Sequence, residues 1–179
     1  MKGDDYLLKG KAISEANLEK KVFTNLLLNT RMCEIIYNET LSLVFYKEVK
    51  QKDSDAWITK FLTLTIDTLC WFGEKEDWEY KVNNIVERNN PFGNEDSLLG
   101  YELIKLRYYN WIVVEEIKFF EEYVQICFNG GFKLSMTYDS DSDYSWVLIE
   151  KGDEKDETRM YMCCQGNELF MKNIPEIYK

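Results

Sequence analysis

Residues able to do chemistry are sparse in this chain, and the sharpest pattern among them is acidic. Asp139-Ser-Asp141-Ser-Asp143, followed by Glu150, puts carboxylates at positions 1, 3, 5 and 12 of a calcium loop. Position 6 is Tyr144, where such a loop needs glycine for its sharp turn, and both flanks read as strands rather than helices. The run therefore reads as a solvated acidic hairpin loop, with Asp and Ser in their ordinary turn roles, and no metal is assigned to it. Glu115/Glu116 and Glu121/Glu122 are the obvious carboxylate pairs for hydrolytic work, but neighbouring acids on turns or on the solvent face of strands account for them better. Histidine is absent, which removes the usual acid–base group near neutral pH, the Ser-His-Asp and Cys-His arrangements, and Cys-His zinc sites. Neither a GxxxxGK[ST] phosphate loop nor a GxGxxG fingerprint occurs. The five cysteines, Cys33, Cys70, Cys127, Cys163 and Cys164, are odd in number and lack a CxxC, so they read as small buried apolar residues rather than a disulfide framework. The expectation is a chain that is not an enzyme and uses no cofactor.

Charge carries more information than any motif. The net charge is −10 and the pI about 4.7. A nucleic-acid binder needs a basic footprint, and anionic membranes repel such a chain, so neither is an expected direct partner. The excess is also uneven: Glu115 to Glu157 carries twelve acids against four bases, whereas Met1 to Lys60 carries nine against ten. A concentrated field of one sign steers a partner of the other. Aromatic residues lie among these acids, and the mixture suits gripping a basic protein, with rings as anchors and carboxylates pairing with lysine and arginine. The candidate contacts are Tyr138, Asp139, Asp141, Asp143, Tyr144, Glu154, Asp156 and Glu157.

These residues need a scaffold, and the clearest part of it is Val124 to Met136. Val124, Ile126 and Phe128 alternate, Phe132, Leu134 and Met136 repeat the spacing, and Asn129-Gly130 between them is a strong hairpin signal, with Gly131 able to lengthen the loop. Tyr123–Phe128 should pair antiparallel with Phe132–Tyr138. Further strands are expected within Lys105–Glu115, Tyr144–Glu150, Arg159–Cys164 and Leu169–Met171, with a charged turn over Gly152–Glu157 and a surface tail over Pro175–Lys179. Upstream, apolar spacings of three and four predict helices over Ser14–Asn29 and Trp57–Phe72, and a shorter one around Glu76–Val86; Thr30–Val49 is ambiguous, its β-branched and aromatic residues also suiting strands, and a helix is favoured because no glycine or proline interrupts it. Met1–Lys11 reads as a loose arm, Lys50–Asp55 as a charged link, Asn89–Asn94 as the best internal boundary and Leu98–Leu103 as a short turn. The predicted fold class is α+β, N-terminal helices packed on a C-terminal antiparallel sheet of four or five strands, in a single domain over 1–179 with a helical part about 12–92 and a sheet part about 104–172. Without a signal peptide or a stretch of transmembrane length, the expected location is the cytoplasm.

Size, acidity and this helix-then-sheet order, together with Val124-Gln-Ile-Cys-Phe-Asn-Gly-Gly-Phe-Lys-Leu-Ser-Met, Trp146-Val-Leu-Ile-Glu150 and Gly166-Asn-Glu-Leu-Phe170, resemble the small acidic immunity proteins of bacterial toxin systems. The resemblance covers roughly the C-terminal third. It implies a protein that binds and inhibits a cognate toxin, plausibly a basic nuclease, by occluding its active site. The alternative is an acidic adaptor or structural protein of mobile-element origin that binds another basic protein.

The acidic loop yields a direct test. Thermal melts in calcium and in chelator should superimpose, because Tyr144 and the strand-like flanks do not form an EF-hand; a large rise in Tm at micromolar calcium would show a formed site.

Overall fold

Alternation, rather than helical periodicity, governs the first half of the chain. In Trp57–Ile66, Leu62, Leu64 and Ile66 face inward while Thr63 and Thr65 face outward, and β-branched threonines between apolar residues suit a pleated, half-buried surface. In Leu41–Lys50, Leu41, Leu43 and Phe45 do the same. The two strands pair antiparallel along their whole length, from Leu41 opposite Ile66 to Lys50 opposite Trp57.

The computed structural model describes residues 10–37, 40–50, 57–87, 95–108, 112–139, 143–151 and 159–179. Residues 1–9 of the expected Met1–Lys11 arm, residues 51–55 of the Lys50–Asp55 link, the Asn89–Asn94 boundary and the Gly152–Glu157 turn lie outside them, and Lys11 itself begins a strand rather than ending a loose arm. The described elements are β1 (Lys11–Ala12), α1 (Asn17–Leu27), β2 (Arg31–Tyr37), β3 (Leu41–Lys50), β4 (Trp57–Ile66), β5 (Cys70–Phe72), α2 (Lys75–Glu87), α3 (Glu95–Tyr108), β6 (Val114–Phe119), β7 (Tyr123–Phe128), β8 (Lys133–Thr137), β9 (Trp146–Glu150), β10 (Tyr161–Gln165) and β11 (Glu168–Lys172). They form a seven-stranded sheet, β1-β11-β10-β9-β4-β3-β2, and a four-stranded sheet, β5-β8-β7-β6, with every pairing antiparallel.

This overturns the expected α+β layout of N-terminal helices on a C-terminal sheet: the protein is mostly β. Thr30–Val49 is the β2–β3 hairpin, and Trp57–Phe72 is β4 followed by β5. In the opposite sense, the expected strand within Lys105–Glu115 begins as helix, because α3 runs to Tyr108 and buries Leu99, Leu103 and Leu106 at spacings of four and three. Two helices agree with expectation in type: α1 buries Val22, Phe23, Leu26 and Leu27, and α2 covers the Glu76–Val86 segment. The β7–β8 hairpin forms as expected, with Ile126 opposite Leu134, but its link is the three-residue turn Asn129–Gly131, with Gly130 and Gly131 at positive φ.

The sheets meet over one core. Phe45 of the large sheet stacks on Phe128 of the small one, with ring centroids 6.5 Å apart. Phe23 of α1 is wedged between them, 4.8 Å from the Trp146 ring of β9 and 5.9 Å from the Phe119 ring of β6. At one margin the backbone joins the sheets directly: Met32 N donates to Ile112 O (3.0 Å) and Val114 N to Thr30 O (3.0 Å). The C-terminal segment is not a surface tail, because Ile174 and Tyr178 are buried and Asn25 Nδ2 of α1 donates to Tyr178 O (2.9 Å). Lys47 Nζ donates to Asn25 O and Leu28 O (3.2 and 3.1 Å), supplying donors to carbonyls at the end of α1.

Phe23→Ala removes the ring that both sheets share and should cost about 3–5 kcal/mol of stability in urea or thermal unfolding. A loss below about 1 kcal/mol would mean that α1 does not lock the sheets together.

Candidate functional site

The chain leaves the large sheet for the small one through three residues, Asp67, Thr68 and Leu69, and this corner forms one side of a groove. Backbone bonds hold it: Asp67 N donates to Ser145 O (2.9 Å), and Thr137 N to Leu69 O (3.1 Å). The Thr68 hydroxyl bonds with the Thr137 hydroxyl and donates to Asp139 O, which Thr137 Oγ1 also reaches at 3.0 Å. Small hydroxyl residues thus fasten the start of the acidic loop to the corner, and Asp67 and Asp139 come to line the same concavity.

The β6–β7 turn supplies another side. Phe120 N donates to Tyr123 O (2.9 Å), closing the turn that carries Glu121 and Glu122. Beneath it lies Tyr138, fully buried, with its hydroxyl donating to Tyr123 O (2.8 Å) and Phe120 O (3.2 Å). Burial pushes the Tyr138 phenol well above its ordinary value, so it remains a neutral donor. The end of β1 and the two residues after it (Ala12 to Ser14), Lys20 of α1 and Asn167 between β10 and β11 also line the rim.

The resulting groove has a volume of about 1230 Å³. Among the described residues four carboxylates line it, Asp67, Glu121, Glu122 and Asp139, against one ammonium, Lys20. Ile13, Leu69, Phe119 and Phe120 give it apolar surface. Leu69 is 54% exposed and also borders two smaller depressions of about 330 and 340 Å³, the second lined by Trp71, Trp78, Glu79 and Glu95. The corner is therefore the meeting point of a longer concave tract with a predominance of carboxylates.

Of the contacts expected from sequence, Asp139 lines the groove. Tyr138 does not: it is a core residue whose hydroxyl positions the Glu121/Glu122 turn, and it offers no ring to a partner. Asp143 and Tyr144 are exposed but are not among the groove's lining residues, and the Tyr144 side chain bonds with that of Tyr161. Asp141, Glu154, Asp156 and Glu157 lie outside the described residues. Sequence reasoning weighed Glu121/Glu122 only as a hydrolytic pair and passed over Asp67, Leu69 and Lys20. The signal within reach was Phe119-Phe120-Glu121-Glu122, two rings followed by two acids just before the best-marked hairpin.

Other chemistry is weakly provided for. Burial pushes the Cys70 and Cys164 thiols up to about 12 and raises Cys163, so these groups carry little thiolate near neutral pH. The buried Glu102 carboxylate is engaged by Lys105 (2.9 Å) and Lys81 (3.5 Å), binding α3 to α2. Among the described residues no group of three or more Cys, Asp or Glu side chains is placed to hold a metal ion. No helix among them is long and apolar enough to cross a membrane. Comparison finds no family model that matches the chain, no similar curated protein and no similar solved structure.

Tyr138→Phe separates support from contact. It keeps the ring but removes the one proton shared between Tyr123 O, which keeps its Phe120 N donor, and Phe120 O, and should cost about 1 kcal/mol in unfolding experiments. An unchanged stability would show that the hydroxyl does not pin the turn.

Proposed function

We propose that this chain is a non-catalytic binding protein that receives a basic protein partner in the groove beside Asp67–Leu69. The observation that carries this reading is the groove itself, with four carboxylate residues and one lysine around Ile13, Leu69, Phe119 and Phe120. The net charge of −10 supports it by adding a long-range field of the same sign. In its most specific form the reading is immunity: the protein occupies the active site or substrate groove of a basic toxin, plausibly a nuclease, in the cytoplasm of the cell that makes both. A surface that binds nucleic acid presents cations to phosphates, and an acidic lip competes for the same cations. Inhibition is then occlusion, with no bond broken and no cofactor used.

The two kinds of groove residue have different tasks. Exposed carboxylates speed encounter and confer salt dependence, whereas apolar contacts that lose water on docking slow dissociation. A stable interface buries about 800 Å² on each partner, so a partner must extend past the groove onto the neighbouring depressions.

Co-expression with the product of the neighbouring reading frame, scored for growth rescue and co-elution, tests the reading. Rescue that Glu121→Lys/Glu122→Lys abolishes, in a chain with an unchanged melt, is the expected result. Co-elution without rescue would favour the adaptor, and a complex indifferent to the reversal would remove the groove from the interface. Neutralising Glu121, Glu122 and Asp139 together should slow association about tenfold at low salt, with the difference fading near 1 M salt, where the Debye length is about 3 Å.

A further inference from the structure

Among the described residues Lys20 is the one cation lining the groove, and its ammonium lies against a ring rather than a carboxylate. Its Nζ lies 5.6 Å from the centroid of Phe119, within the range at which an aromatic face attracts a cation. Phe119 is held from behind by Phe23, edge on at 5.9 Å, which restrains the ring. Next to it in sequence, Phe120 stacks on Tyr123 at 4.5 Å and 21° and remains 40% exposed. Two aromatic residues therefore line a concavity that also holds four carboxylate residues.

An ammonium is a compact, strongly hydrated charge, whereas a guanidinium is flat, sheds water more readily, and can cover a ring while its N–H fork reaches a carboxylate. Resting on the basic-partner reading above, we infer that the groove is an arginine-accepting site, in which an arginine of the partner takes the aromatic face and displaces Lys20. Lys20 is then a resident competitor. It lowers the groove's affinity for foreign cations and reserves it for a side chain that stacks better than lysine. The partner this fits is a protein whose docking segment presents arginine, rather than one that is merely lysine-rich.

The test uses labelled hexa-arginine and hexa-lysine peptides, titrated into the full chain by fluorescence anisotropy at low and high salt. Hexa-arginine should bind roughly fivefold more tightly than hexa-lysine, a preference expected from guanidinium stacking. Lys20→Met keeps the apolar stem and removes the charge, and should tighten hexa-arginine binding about threefold through loss of like-charge competition. Phe119→Leu keeps an apolar floor without a ring and should erase the arginine preference, with a thermal melt reporting the fold. Equal affinity for the two peptides, or a Lys20→Met chain that binds no better, overturns the inference. If neither peptide binds while Glu121→Lys/Glu122→Lys still breaks the co-expressed complex, the arginine site falls and the basic-partner reading stands. If that complex also survives the reversal, both fall.

Discussion

A strand that passes from one sheet to another must satisfy its backbone at the crossing, and in this protein the crossing is Asp67–Thr68–Leu69. Asp67 N is taken by Ser145 O of the large sheet's side, and Leu69 O by Thr137 N of the small sheet's. Three residues thus spend their polar groups on two different sheets. All three also line a concavity. The fold's sharpest geometric demand and its candidate binding surface share these residues, so the groove depends on the corner.

The rest of the groove is set by buried groups that do not touch it as contacts. Tyr138 fixes the Glu121/Glu122 turn through its hydroxyl, and Phe23 holds Phe119 while filling the space beside Trp146. The acids themselves are exposed, so their charges cost the fold little: exposed charge interactions are worth about 0–1 kcal/mol and are screened by salt. Support and the candidate contacts are therefore carried by different residues, and the candidate contacts can change without dismantling the core.

Part of this was legible in the sequence. The β7–β8 hairpin was readable because alternation and a glycine-rich turn agree there, and α1 because Val22, Phe23, Leu26 and Leu27 fall on one helical face. Trp57–Phe72 was not. Apolar residues occupy so many of its positions that spacings of three and four can be picked out as easily as two. The threonines at 59, 63 and 65 were the better guide, and the break between the two strands is made by Asp67-Thr68-Leu69, which carries no glycine or proline to mark it. Concentrated acidity pointed to Asp139, which lines the groove, but not to Asp67, which lies some seventy positions earlier in sequence and meets it only through sheet pairing. Tyr138 was misread for a related reason: an aromatic among acids looks like a surface anchor until the turn above it is known.

The most direct test of the account is backbone NMR across residues 57–72. Carbon chemical shifts should be extended over Trp57–Ile66 and again over Cys70–Phe72, with a break at Asp67–Leu69 and a slowly exchanging Asp67 amide. Continuous helical shifts from Trp57 to Phe72 would contradict the two-sheet fold, the corner, and the groove built on it.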